Sequence, residues 1–80
     1  MSKETYIFNK FIKEKKLKNE ALINKDELTR YFINETGASV QTIRNYLWLI
    51  KIAGFVTLHK SNFIYNEKAH KEYLEKRELI

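Results

Sequence analysis

Apolar residues recur at helical spacing from the start of the chain. Between Lys3 and about Lys16, Ile7, Phe8, Phe11 and Ile12 fall on one side while Lys10, Lys13 and Lys16 gather on the other, which predicts an amphipathic first helix. The apolar run at residues 21–23 is too short for a helix and is bounded by polar residues, so it suits a brief strand. Next comes "NKDE", in which the Asn24 side chain is positioned to cap a second helix while Glu27, three residues on, reaches back to the Asn24 amide. That helix is expected to run to about Glu35, burying Leu28, Tyr31 and Phe32 and turning Lys25, Arg30 and Asn34 outward. "ETGAS" interrupts the pattern: Gly37 tolerates the left-handed conformation that ends a helix, and Ser39 is a cap for the next.

The third helix, from about Val40 to Ala53 with Gly54 as its stop, changes character midway. At 100° per residue, Val40, Ile43, Tyr46, Leu47 and Ile50 share one face, while Gln41, Asn45, Trp48 and Ile52 share the other. The second face is polar at its beginning and apolar at its end. After Gly54, two runs rich in β-branched and aromatic residues, residues 55–58 and 63–65, flank "HKSN", and a β-hairpin is the natural reading. Folded back on the helix, such a hairpin is expected to cover Trp48, Leu49 and Ile52 and to leave Gln41, Thr42 and Asn45 bare. Arg44 lies near the edge of the buried face, where a carboxylate such as Glu35 is a possible partner.

Charge sharpens this picture. The net charge is +5, yet no Asp or Glu occurs from Thr36 to Asn66, a stretch of 31 residues in a chain otherwise rich in carboxylates. A surface that keeps Arg44, Lys51, His59 and Lys60 and excludes acids suits a polyanion, because a carboxylate facing a phosphate repels it. Eighty residues with 44% hydrophobic and 14% aromatic content make one small packed domain, able to bury roughly 60% of its unfolded surface. With no cysteine there is no disulfide, no thiolate nucleophile and no thiolate zinc site. No run reaches membrane-spanning length and "MSKETYIFNKF" lacks the apolar stretch of a signal peptide, so a cytoplasmic, nucleoid-associated protein is expected.

The order helix, short strand, helix, turn, helix, hairpin resembles the winged helix-turn-helix family of DNA-binding domains, in its small stand-alone transcription-regulator form. "INKDEL" looks like the family's approach to its second helix. "TIRNYLWLIKIAGFV" is similar to its third, with Leu47 and Ile50 three apart, then Gly54 and an apolar pair opening the wing. The resemblance covers residues 5–66 and implies an α+β, mainly α fold: a three-helix core, a short strand, a hairpin wing and a C-terminal helix at about 67–79, all in one domain. It also implies docking of helix 40–53 in the major groove of double-stranded DNA. Gln41 and Asn45 carry amides that pair with adenine, Arg44 suits guanine, and Thr42 suits a thymine methyl or a phosphate. Lys25, Arg30, Lys51, His59 and Lys60 are the expected phosphate contacts, joined by Ser39 where the helix N-terminus favours an anion. The wing tip carries only His59 and Lys60, where many members place Arg, so strong minor-groove insertion is not expected.

The tail reads as a short helix capped by Asn66, with a narrow stripe of Ala69, Tyr73 and Ile80 and a Glu72–Lys76 pair four residues apart. Either it packs back on the first helix or it meets its copy; the family resemblance favours a homodimer through the first and C-terminal helices. His59 and His70 lie in different elements without a second ligand at metal spacing, and neither a nucleophile elbow nor a Gly-rich phosphate loop is present. No enzyme, cofactor or small-molecule substrate is expected. Besides a sequence-specific regulator, the pattern accommodates a protein-interaction module or an architectural, chromatin-like protein that binds DNA without reading it.

Overall fold

The computed structural model describes residues 2–78. It contains α1 (Lys3–Lys15), β1 (Leu22–Asn24), α2 (Lys25–Thr36), α3 (Val40–Ile52), β2 (Val56–His59), β3 (Asn62–Tyr65) and α4 (Glu67–Glu78). The fold is thus α+β and mainly helical, with one antiparallel sheet of order β1-β3-β2.

Local chemistry sets the boundaries. Helix α1 ends where Lys16 turns left-handed (φ 54°) and the Leu17 amide reaches back to the Ile12 carbonyl at 3.2 Å. The first strand lies one residue later than the apolar run suggests: Leu22 faces Ile64, Ile23 faces Phe63 and Asn24 faces Asn62. Asn24 accepts the Glu27 amide at 3.0 Å as the cap of α2. The Glu27 carboxylate does not complete a reciprocal cap; it turns to Lys15, 3.3 Å away. Gly37 (φ 65°) ends α2 by donating to the Ile33 carbonyl, and Ser39 accepts the Thr42 amide to begin α3. The hairpin closes through Lys60 and Ser61 between the paired His59 and Asn62, with Lys60 left-handed at φ 57°.

The core forms where the apolar faces of α1, α2 and α3 meet. Phe8, Leu28, Phe32, Ile43 and Phe55 are fully buried, with Phe11, Ile23, Ile50, Val56, Phe63 and Tyr65 around them. Two expectations need correcting here. Val40 is 56% exposed and does not join Ile43, Leu47 and Ile50 in the interior. It is the first residue of α3, where the chain has just left the turn and no element lies over it. The Glu72–Lys76 pair is also absent among the described residues; the tail's pair is Glu67–Lys71, which holds the Glu67 carboxyl below its ordinary range.

Helix α4 closes the core through the cap and stripe that the residue pattern indicates, and through His70, which it left unassigned. Asn66 caps it, accepting the Ala69 amide, while the Asn66 amide donates to the Phe55 carbonyl. Tyr73 meets the Phe55 ring edge-on at 5.1 Å, and Ala69 lies 3.7 Å from where a side chain on Gly54 would begin. The stripe expected on α4 is therefore spent within the chain, as far as Tyr73; Ile80 lies outside the described residues. His70 is buried against Phe8, Phe55 and Tyr65 and shares a hydrogen bond with the Tyr65 hydroxyl through Nδ1. Burial, with a smaller contribution from Lys13, holds the His70 imidazole below its ordinary pKa against the opposing pull of Glu67, and burial pushes the Tyr65 phenol up to about 12.

The folded state resists protonating His70, whereas the unfolded chain takes that proton near pH 6.5. Stability should hold steady above about pH 7 and decline on acidification below about pH 6.5, by at most about 1.4 kcal/mol per pH unit from this group. Urea denaturation across this window measures the slope, which should vanish in His70→Gln; an unchanged slope in that variant would assign it to other groups.

Candidate nucleic-acid interface

One side of α3 faces the core through Ile43, Leu47 and Ile50, leaving the opposite side uncovered along its whole length. Its outer stripe is Gln41, Asn45, Trp48 and Ile52; Gln41 and Asn45 are exposed, Trp48 is 57% exposed and Ile52 63%. This corrects the covering assigned to the hairpin. Trp48, Leu49 and Ile52 are all open to solvent, and Trp48 is not a core residue. The physical reason lies in the sheet. Its middle strand β3 carries Phe63 and Tyr65 inward, and β2 runs beside the flank of α3, so the hairpin adjoins the helix from one side without capping its outer stripe.

Between that flank and the hairpin runs a groove of about 430 Å³. Ile43, Leu47 and Phe63 contribute apolar surface, Val40, Trp48 and Leu58 form exposed walls, and the cations of Lys25, Arg44 and Lys51 lie along it beside Thr29. No carboxylate lines it. The first acids of α2, Asp26 and Glu27, line a separate depression with Lys15, Arg30 and Tyr31 on the α1 side.

The expected base-contact residues therefore share one helix but not one setting. Gln41 and Asn45 lie on the outer stripe, and Arg44 lies in the groove; all three are exposed. Thr42 is half-buried on the other flank and close to the Ser39 hydroxyl, 3.1 Å away. Arg44 does not pair with Glu35, because the Glu35 carboxylate is taken by Lys10 at 3.0 Å, which raises the Lys10 pKa.

Among the expected phosphate contacts, Lys25 and Lys51 join Arg44 in the groove. His59 and Lys60 stand exposed at the hairpin tip, and Ser39 is exposed at the start of α3. Arg30 is set apart in the depression with Asp26 and Glu27. The helical wheel placed Trp48 beside Gln41 on the stripe shared with Asn45, but its exposure, like the contributions of Val40, Leu58 and Thr29 to the groove, depends on how the hairpin meets the helix.

Compared with protein-family models, curated proteins and solved structures, the chain matches none.

The electrostatics divide the molecule in two. Among the described residues, the ion pairs are Lys10–Glu35, Lys15–Glu27 and Glu67–Lys71, which involve α1, α2 and α4. The cations of α3 and the hairpin take part in none of them. Unpaired cations beside exposed amides leave donors and acceptors free for an external partner. Among the described residues no cluster of His, Asp and Glu is arranged to hold a metal, and no helix is long and apolar enough to cross a membrane.

Proposed function

We propose that this protein is a winged helix-turn-helix regulator that binds double-stranded DNA, with α3 in the major groove and the β2–β3 hairpin as its wing. The observation that carries this reading is the exposure of Gln41, Arg44 and Asn45 on one helix inside a stretch free of carboxylates. A major groove admits an α-helix, and the amides and guanidinium are the groups that distinguish adenine and guanine edges there. Lys25, Lys51, His59 and Lys60 hold the flanking phosphates and set the register. Arg30 contributes least, because Asp26 and Glu27 stand beside it.

A homodimer belongs to this proposal, since two recognition helices about one turn apart turn weak half-site contacts into useful affinity. Its interface draws on surfaces other than the inner stripe of α4, because Ala69 and Tyr73 already face Gly54 and Phe55. Tyr6, 60% exposed on α1, is an available apolar contact.

Two measurements test the reading. Binding to a duplex should weaken as salt rises, with a slope of log affinity on log salt of about −0.9 per phosphate neutralised; indifference to salt would point to a protein partner. On a target selected from random DNA, Asn45→Ala should cost roughly 1–3 kcal/mol of discrimination against unrelated duplex. Equal weakening on both duplexes would instead describe an architectural protein.

A further inference from the structure

Trp48 is the chain's one tryptophan, and more than half of its surface faces water. A large indole left open this way is unusual beside a core that buries six phenylalanine and tyrosine rings completely or nearly so, and it lies where the outer stripe of α3 meets the groove. The groove combines two chemistries along one trough: the apolar surfaces of Trp48, Val40 and Leu58, and the positive charges of Lys25, Arg44 and Lys51 with no carboxylate among them. A ligand filling it needs apolar faces alternating with negative charge. A sugar–phosphate strand has that alternation.

On the reading of α3 as the DNA-binding helix, we propose that the groove between α3 and the hairpin seats the backbone of one DNA strand, with Trp48 packed on deoxyribose, Lys25 and Lys51 around the neighbouring phosphates, and Arg44 at the groove's edge left to the bases. The trough is open to solvent, as the exposure of Val40, Trp48 and Leu58 requires, so it cannot enclose a small molecule on most sides as ligand pockets do. An extended polymer lying along it needs no enclosure. Continuity with Gln41 and Asn45 places the strand beside the base edges that these amides face. The Trp48 contact itself is apolar and releases no counterions, so it adds affinity that salt does not erode.

The sole tryptophan makes the groove directly observable. A labelled, mixed-sequence duplex about two helical turns long, titrated at low salt, reports binding by anisotropy, while acrylamide quenching of the intrinsic fluorescence reports access to Trp48. Saturating duplex should protect Trp48 from quenching several-fold. Trp48→Ala should weaken binding on the order of tenfold at every salt concentration with the slope unchanged, and Trp48→Phe should restore most of it. Lys51→Ala should instead reduce the slope by about one.

Duplex binding that leaves Trp48 fully quenchable overturns the assignment of the groove while the DNA-binding reading stands. Absence of duplex binding at low salt overturns both. Protection that grows with protein concentration alone, accompanied by a larger sedimenting species, gives the groove to a second copy of the chain. Equal protection by polyglutamate gives it to an acidic polypeptide. Either of these last two results overturns the proposal. Trp48 is exposed, so both variants should melt near the parent; a Trp48→Phe protein that folds normally yet binds as weakly as Trp48→Ala also contradicts stacking by a flat ring.

Discussion

Phe55→Ala should cost about 3–5 kcal/mol of folding free energy, the largest loss from any single truncation considered. Phe55 is fully buried, and its ring lies 5.7 Å from Phe8, 4.9 Å from His70 and 5.1 Å from Tyr73. It is therefore the residue through which α1, the start of the hairpin and α4 meet. Removing it leaves a cavity that the surrounding rings cannot collapse into without giving up their own contacts, and α4 loses the surface that holds it. A chain of this length has about 4–12 kcal/mol of total stability, so the variant should be partly or wholly unfolded at room temperature. Urea denaturation followed by far-ultraviolet circular dichroism measures the loss. Ile52→Ala provides the contrast: its side chain is 63% exposed, so the change should stay within about 0.5 kcal/mol. Equal losses at the two positions would contradict the division of α3 and its neighbours into a covered and an open side.

Most of the architecture could be read from the chain because it depends on short-range chemistry. The caps at Asn24, Ser39 and Asn66, the left-handed Gly37 and the turn after His59 act within a few residues, and each lies where the residues indicate. Burial of Ile7, Phe8, Phe11 and Ile12 follows from helical periodicity in the same way. What periodicity does not carry is which element lies against which face. The outer stripe of α3 was correctly grouped as Gln41, Asn45, Trp48 and Ile52, but its apolar end suggested a cover that the sheet, with β3 at its centre, does not provide. His70 is the converse case. As a lone histidine in a charged tail it offers no local sign of burial, and its place beside Phe8, Phe55 and Tyr65 arises only because the hairpin returns the chain to α1. For the candidate site, residue type identified the helix and its polar residues, while the grouping of Lys25, Arg44 and Lys51 away from Arg30 required three-dimensional contacts.

Arg44→Glu should lower affinity for duplex DNA at least about a hundredfold at moderate salt. Arg44 is exposed in the groove, and the carboxylate of Glu35 is occupied by Lys10, so replacing the side chain breaks no ion pair and stability should change by less than about 0.5 kcal/mol. Binding loses two things together. The guanidinium's bidentate contact contributes about 1–3 kcal/mol of base discrimination, and the new carboxylate enters a surface from which acids are otherwise excluded, facing phosphates at short range. A combined loss of about 3 kcal/mol corresponds to roughly a hundredfold. Lys68→Glu, on the exposed part of α4, changes the net charge by the same amount and should weaken binding far less, because screening limits a distant charge to a diffuse steering effect. Arg44→Lys should fall between: it keeps the charge and the salt slope but not the planar fork, so discrimination between cognate and random duplex declines more than overall affinity. If Lys68→Glu and Arg44→Glu weaken binding equally, the protein is responding to net charge alone, and recognition cannot reside in the groove face of α3.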